Sequence, residues 1–140
     1  MTIRIGLIGG GLIGRKHIEK INVHPDFELV GIADLARDAV AAANPGVPVF
    51  ADYREMLDTA KPEAVIIASP NQLHDENGVE CARRGVHFII EKPVTDTVES
   101  AARLIAAVRK AGVKTLVGHH RRHHAQVRKA RDLVQGGAIG

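Results

Sequence analysis

The stretch that decides the fold is Ile3-Arg4-Ile5-Gly6-Leu7-Ile8-Gly9-Gly10-Gly11-Leu12-Ile13-Gly14. The apolar run that ends at Ile8 predicts a buried β-strand, and the segment from Leu12 onward predicts a helix. Between them, the glycines at positions 9, 11 and 14 form the pattern G-x-G-x-x-G. In a strand–turn–helix context, this pattern is typical of a turn that binds the pyrophosphate of a dinucleotide.

Each glycine of this turn has a separate physical role. We expect Gly9 to permit the tight turn out of the strand, and Gly14 to let the helix lie close to the strand. A side chain at Gly11 would keep the pyrophosphate away from the backbone. The free N–H groups of the first helical turn, around Leu12 and Ile13, would then face the phosphates. The alternative interpretation is an ordinary glycine-rich turn that binds nothing.

An acidic residue completes the pattern at the end of the second predicted strand. Asp34 lies twenty residues past Gly14, where a carboxylate accepts hydrogen bonds from the adenosine ribose. We expect Asp34 and the following Leu35 to contact the cofactor. The negative charge disfavours a 2′-phosphate, so the sequence predicts NAD rather than NADP, although Arg37 lies close enough to moderate that preference. The alternative role for Asp34 is a loop acid or a helix N-cap.

Short apolar runs alternate with helical patterns along the whole chain, which predicts an α/β fold with a doubly wound parallel sheet. The runs are apolar on successive residues, as expected of strands buried on both faces. We predict about six strands with helices on both faces of the sheet. The predicted strands are Ile3–Gly9, Phe27–Ala33, Val47–Ala51, Ala64–Ala68, His87–Ile90 and Thr115–Gly118. The predicted helices are Leu12–Ile21, Leu35–Ala43, Tyr53–Thr59, Gln72–Arg84, Val98–Lys110 and Ala125–Val134.

Composition and charge exclude several classes of partner. The 140 residues carry a net charge of +3, but residues 119–140 alone carry +4, which leaves −1 on the rest. With four aromatic residues and no tryptophan, base-stacking surfaces are not expected, so we predict no nucleic-acid partner. No apolar run is long enough for a membrane span, and the N-terminus lacks a signal-peptide pattern. We therefore expect a cytoplasmic location and no membrane partner. Cys81 is the single cysteine, and we expect a buried, inert thiol.

Three further segments resemble those of a known enzyme family. They are Ala68-Ser69-Pro70-Asn71-Gln72-Leu73-His74, Ile90-Glu91-Lys92-Pro93 and Gly118-His119-His120-Arg121-Arg122. Together with the glycine turn and Asp34, they resemble the N-terminal domain of the Gfo/Idh/MocA oxidoreductases, in family order and spacing. That family includes dehydrogenases of inositol, glucose and other sugars or polyols. The resemblance implies a Rossmann-type domain that binds a nicotinamide dinucleotide.

The resemblance also implies roles for individual residues. Ser69, Pro70, Asn71 and His74 would line the cofactor near the nicotinamide ribose. Glu91 and Lys92 would lie next to the nicotinamide, and Lys92 would bond the substrate hydroxyl and assist proton transfer as the catalytic residue. The alternatives are a surface Lys92 paired with Glu91 and a solvated His74 at the start of a helix. The Lys92–Pro93 bond is a candidate for a cis peptide.

The resemblance further implies that catalysis needs a second, α+β domain, which would supply the substrate pocket. We divide the chain into a dinucleotide-binding domain at residues 1–122 and a helix with a glycine-rich joint at residues 123–140. The predicted function is the cofactor domain of an oxidoreductase that transfers hydride to or from a sugar or polyol carbon, inactive alone. The alternative is a free-standing nucleotide-binding module without catalysis. An exposed apolar edge allows a homo-oligomer.

Four histidines form the pattern H-H-x-x-H-H at residues 119–124. The pairs 119/123 and 120/124 have the i, i+4 spacing with which a helix presents two imidazoles to a metal. No cysteine or carboxylate lies near them in sequence. We therefore predict no physiological metal site.

Overall fold

The computed structural model describes residues 1–139, which form one parallel sheet with flanking helices. The strands, in chain order, are β1 (Ile3–Ile8), β2 (Phe27–Ala33), β3 (Val49–Phe50), β4 (Ala64–Ile67), β5 (His87–Ile90) and β6 (Thr115–Val117). The helices are α1 (Leu12–Val23), α2 (Arg37–Ala43), α3 (Tyr53–Ala60), α4 (His74–Arg83), α5 (Val98–Ala111) and α6 (Ala125–Gln135). Two short 3-10 helices cover Asn71–Leu73 and His120–His123.

The sheet has the strand order β3-β2-β1-β4-β5-β6, and neighbouring strands are parallel. The chain moves outward from β1 to β3, then crosses to β4 on the other side of β1 and moves outward again. The predicted doubly wound, six-stranded α/β fold is therefore confirmed. In such a sheet, ligands bind beyond the carboxyl ends of the strands where the winding direction changes, which here lies between β1 and β4.

Two apolar clusters, one on each face of the sheet, stabilise the fold. Successive strand residues alternate between them, because Val65 and Ile67 pack with α3, α4 and α5, whereas Ile66 packs with α1 and α2. Helices thus pack on both faces of the sheet, as the apolar runs predicted, although Leu116 of β6 stays 62% exposed. Leu7, Ile32 and Ile67 are completely buried at the centre of the sheet.

Side chains cap the start of two helices. Thr97 and Ser100 form a reciprocal capping box at the start of α5, and Asp52 accepts a hydrogen bond from the Arg54 N–H at the start of α3. Gly112 ends α5 in the left-handed conformation with φ of 68°.

Three segments differ from the expectation. β3 is a two-residue edge strand rather than Val47–Ala51, because only Ile32 and Ala33 of β2 pair with it. The predicted helix Gln72–Arg84 is divided into the 3-10 helix Asn71–Leu73 and α4.

The third difference lies in the histidine segment, where His120–His123 form a 3-10 helix and His124 is extended. Gly140, the last residue of the predicted joint, lies outside the described residues. Among residues 1–139, no helix has the length and apolar character needed to cross a bilayer.

Candidate functional site

The glycine turn joins β1 to α1, and its geometry explains two of the three predicted glycines directly. Gly9 has φ of 96°, and a Cβ there would lie 2.5 Å from the Ala68 carbonyl oxygen. A Cβ at Gly14 would lie 1.9 Å from the Gly9 carbonyl oxygen, so the helix rests directly on the turn. Neither position accepts a side chain without movement of the backbone.

Gly11 differs from the other two glycines because nothing lies within 4 Å of the position that its Cβ would take. The space in front of Gly11 is open to solvent, at the beginning of α1. No side chain caps this helix, and its first turn holds no acidic residue. The first N–H groups of α1 are therefore available to an anion such as a pyrophosphate.

Asp34 connects the end of β2 to the glycine turn. Its Oδ2 accepts a hydrogen bond of 2.6 Å from the Gly10 N–H, and its Oδ1 accepts one of 2.8 Å from the Ala36 N–H. These bonds fix the carboxylate beside the turn, and each oxygen retains a lone pair for a ribose hydroxyl. Arg37 pairs with Asp38 at 3.0 Å, so its guanidinium is directed toward a different carboxylate.

A cavity of about 410 Å³ lies at this edge of the sheet and brings several predicted residues together. Gly9, Asp34, Leu35, Ser69 and Pro70 line it. The lining also includes residues that the sequence analysis did not single out, among them Tyr53, Arg54, Leu73 and Glu76. A larger cavity of about 590 Å³ lies beside α1 against β4, β5 and β6, and its lining contains none of the predicted cofactor residues.

Tyr53, Arg54 and Glu76 form a polar cluster on one wall of the smaller cavity. The Arg54 guanidinium donates to Glu76 Oε1 at 2.5 Å and lies 4.4 Å from the centre of the Tyr53 ring. The Tyr53 hydroxyl donates to the same Glu76 oxygen at 3.1 Å. Burial, followed by the nearby Glu76 charge, raises the pKa of Tyr53 to about 12. Tyr53 begins α3, three residues past the end of β3, and this position near the carboxyl edge of the sheet was the available sequence signal for the cluster.

The turn after β4 contains the predicted residues Ser69, Pro70, Asn71 and His74. Pro70 and Asn71 are exposed, whereas Ser69 is half-buried and its hydroxyl donates to Asn77 Oδ1 at 2.7 Å. His74 is 1% exposed and lies behind the turn rather than on its surface. Its Nδ1 is 2.8 Å from the Pro93 carbonyl oxygen and its Nε2 is 2.9 Å from the Ser69 carbonyl oxygen.

The turn after β5 contains Glu91 and Lys92. Glu91 is buried, and its Oε1 accepts a hydrogen bond of 2.9 Å from His17 Nε2, on α1. Its Oε2 accepts a longer bond of 3.3 Å from the Lys92 N–H. Lys92 itself is exposed, and the bond between Lys92 and Pro93 is cis, as predicted. The sequence carries no local signal for the contact between His17 and Glu91, because 74 residues separate them.

The remaining candidates do not belong to this edge. Cys81 lies on α4, on the side that packs into the apolar cluster, and burial there raises the pKa of its thiol to about 12. The His120 and His124 rings lie 6.0 Å apart, on a segment that is not α-helical. Among residues 1–139, no group of three or more metal-ligating side chains is arranged around a common point.

The fold and this edge define the class of the protein, a dinucleotide-binding domain of the doubly wound type. The turn leaves room at Gly11, offers free N–H groups and holds Asp34 beside them, so the residues present fit a dinucleotide. The chain belongs to the Gfo/Idh/MocA family, whose profile, described as an oxidoreductase family with an NAD-binding Rossmann fold, matches residues 3–119. The resemblance stated from the sequence is confirmed, and NAD is the cofactor of this domain.

Characterised relatives are dehydrogenases. The chain is 30% identical over 141 residues to myo-inositol 2-dehydrogenase of Thermotoga maritima, covering 99% of this chain and 42% of the relative. It is 32% identical over 150 residues to levoglucosan dehydrogenase of Pseudarthrobacter phenanthrenivorans, covering 99% of this chain and 38% of the relative. The chain thus spans about two-fifths of the length of these curated relatives.

Solved structures show the same fold. The WlbA dehydrogenase of Bordetella pertussis, in complex with NADH and UDP-GlcNAcA, superposes with a TM-score of 0.93 at 32% identity, covering 100% of this chain and 44% of that one. The scyllo-inositol dehydrogenase of Lactobacillus casei, with bound NAD(H) and scyllo-inositol, gives a TM-score of 0.90 at 28% identity, covering 100% and 43%.

Proposed function

We propose that this chain is the cofactor-binding part of an NAD-dependent oxidoreductase that acts on a carbon bearing a hydroxyl group in a sugar or polyol. The observation that carries the proposal is the exposed Lys92 at the same sheet edge as the glycine turn. An ammonium group at this edge is able to bond a substrate oxygen while the cofactor occupies the turn.

Different parts of the edge would hold different parts of the cofactor. Gly9, Gly11, Leu12, Ile13 and Gly14 would receive the pyrophosphate on backbone N–H groups. Asp34 and Leu35 would contact the adenosine. The nicotinamide end would lie against the two turns that follow β4 and β5. The predicted contacts there are Ser69, Pro70, Asn71, Glu91 and Lys92. His74, being buried, would act on the cofactor through the two carbonyl groups that it contacts.

The chemistry divides between cofactor and protein. When bound, the nicotinamide supplies a carbon that accepts or releases hydride. Lys92 would bond the substrate oxygen and hold or take its proton. Its ammonium is free for this role, because the Glu91 carboxylate is bonded to His17 and to the Lys92 N–H instead. This arrangement argues against the surface Lys92–Glu91 pair considered above.

The preference for NAD over NADP would come from Asp34. Its carboxylate is held by two backbone N–H groups, and a 2′-phosphate placed beside it would be repelled. Arg37 is engaged with Asp38, which reduces its ability to neutralise that repulsion.

We further propose that the chain alone lacks full activity, because the relatives that it matches are more than twice as long. A nucleotide-binding module without catalysis is the second candidate, since the 410 Å³ cavity is lined by Asp34 and Leu35, the predicted adenosine contacts, and needs no substrate. A cytoplasmic location stays a prediction.

The test is NAD-dependent oxidation of a panel of inositols and aldoses, followed at the absorbance of NADH. It uses the 140-residue chain and, if the reading frame continues beyond it, the complete product, with Lys92→Ala and Lys92→Arg variants. We expect activity in the complete product that Lys92→Ala removes. NADH binding without oxidation of any polyol or sugar would favour the binding module.

A further inference from the structure

Two histidines hold the turn that carries Lys92, one from each side, and neither lies on the surface of the cofactor cleft. His17, on α1, donates from Nε2 to Glu91 Oε1 at 2.9 Å. His74, at the start of α4, has its Nδ1 2.8 Å from the Pro93 carbonyl oxygen. The residues directly before and after Lys92 are therefore both fixed by an imidazole.

Glu91 is enclosed tightly enough for its carboxylate to act as an anchor. It is 8% exposed, and a Cβ at Gly118 of the neighbouring segment would lie 2.8 Å from Oε1. One oxygen faces His17, and the other accepts the Lys92 N–H at 3.3 Å. A buried carboxylate needs such partners, since an uncompensated charge is costly in the interior. Loss of His17 would leave this carboxylate free to move together with the Lys92 backbone.

His74 connects the two turns at the nicotinamide end. Its second nitrogen, Nε2, is 2.9 Å from the Ser69 carbonyl oxygen, in the turn after β4. Carbonyl oxygens only accept hydrogen bonds, so each contact needs a proton on the imidazole nitrogen that faces it. A neutral His74 ring therefore donates to one of the two carbonyl groups, and a doubly protonated ring donates to both. With 1% exposure, the ring has no water to replace either partner.

The Lys92 ammonium, in contrast, forms no ion pair within the described residues 1–139. Its position at the end of a four-carbon stem depends on where the backbone places the Cα atom. A fixed backbone with a free ammonium is the arrangement that a group contacting cofactor and substrate requires.

We propose that His17 and His74 are positioning residues that hold Lys92 at the nicotinamide end of the cofactor. The proposal rests on the proposed function, in which Lys92 lies beside the nicotinamide. His17 would also connect Lys92 to α1, the helix whose N-terminus receives the pyrophosphate. Positioning by His17 affects the nicotinamide end alone, because its contact with Glu91 does not involve Asp34 or the glycine turn. His74 also contacts Ser69, which lines the cavity shared with Asp34, and we expect its loss to weaken NADH more than ADP-ribose because its Pro93 contact adjoins Lys92.

The experiment compares two probes by calorimetric titration of the 140-residue chain. NADH contains the nicotinamide ring, whereas ADP-ribose contains the adenosine, the pyrophosphate and the second ribose but lacks that ring, so a selective loss of NADH binding reports on contacts at the ring. For His17→Leu, which removes the donor, we expect NADH to bind about fivefold more weakly and ADP-ribose to bind within about twofold of wild type. His17→Gln, which keeps an amide donor, restores NADH binding. Lys92→Ala alone weakens NADH and spares ADP-ribose.

A double-mutant cycle separates positioning from general loosening of the fold. In the Lys92→Ala background, His17→Leu has no further effect on NADH, because the group that it positions is gone. An undiminished His17→Leu effect in that background, equal losses for both probes, or a Lys92→Ala variant with unchanged NADH affinity overturns the proposal. Failure of wild type to bind ADP-ribose instead overturns the cofactor site itself.

His74 is tested with the same pair of probes. His74→Ala removes both contacts, and His74→Gln supplies one amide donor in a similar volume. We expect a NADH-selective loss in the first variant and partial recovery in the second. If His74→Ala fails to fold by circular dichroism, His74→Gln carries the comparison, and equal losses for NADH and ADP-ribose in that variant contradict the role of His74. If His17→Leu fails to fold, His17→Asn replaces it in the comparison, because the asparagine side chain is too short to reach Glu91.

Discussion

Replacement of Asp34 by alanine tests whether this carboxylate holds the glycine turn in place before any cofactor binds. Two backbone donors lose their acceptor in Asp34→Ala, the Gly10 N–H at 2.6 Å and the Ala36 N–H at 2.8 Å. Gly10 is buried, so its unsatisfied N–H costs about 1–3 kcal/mol. Ala36 is exposed, so water replaces the lost bond at a cost of at most about 1 kcal/mol.

The sum is a loss of about 1–4 kcal/mol in the free energy of unfolding, or roughly 3–14 °C in Tm for a domain of this size. The assay is thermal unfolding of the cofactor-free chain by circular dichroism. Asp38→Ala is the matched control, since the Asp38 side chain is 89% exposed and only pairs with Arg37. We expect the control to lose less than about 1 kcal/mol. Equal melting temperatures for the two variants would refute the anchoring role of Asp34.

The other predictions concern the glycines, the cofactor preference and two titrating groups. Gly14→Ala should destabilise the fold by about 3 kcal/mol, because its Cβ would lie 1.9 Å from a carbonyl oxygen. Gly11→Ala should melt at the wild-type temperature and bind NADH about tenfold more weakly. Unfolding curves and titrations measure the two effects, and a lower melting temperature for Gly11→Ala would contradict the open space in front of Gly11. Asp34→Ser should shift the ratio of NADH to NADPH affinity toward NADPH, and an unchanged ratio would remove its ribose role. The Cys81 thiol should resist a thiol reagent in the native chain near pH 8 and react only on unfolding, because burial raises its pKa to about 12; rapid labelling of folded chain would disprove this. The raised pKa of Tyr53 means that the folded chain holds the phenol proton more tightly than the unfolded chain does. The stability from this group is therefore present below pH 10.0 and is lost as pH rises toward about 12. The phenolate absorbance, measured against a Tyr53→Phe variant, should first appear above the pH range in which an ordinary tyrosine ionises.

Local signals explain why most of the fold could be predicted. Two helices begin at a capping side chain, Asp52 for α3 and Thr97 for α5, and α5 ends at the left-handed Gly112. The apolar runs located β2 and β5 to the residue. The length of β3 was overestimated, because an edge strand extends only as far as its single neighbouring strand pairs with it, whatever its own apolar residues.

The candidate site was predictable in its glycine turn and in Asp34, which are close in sequence and follow a fixed spacing. The contacts that hold the site were not. His17 reaches Glu91 across 74 residues, and Tyr53 reaches Glu76 across 23. Such pairs depend on the order of strands in the sheet, which brings the end of β5 within reach of His17 on α1 and places α3 beside α4, without any local pattern in the sequence.

The carboxyl edge of this sheet would bind NAD, and Asp34 would select against the 2′-phosphate of NADP. Calorimetric titration of the wild-type chain with NADH and then with NADPH tests this proposal most directly. We predict saturable binding of NADH at one site per chain and weaker binding of NADPH. Absence of NADH binding at millimolar concentration, or tighter binding of NADPH, would contradict it.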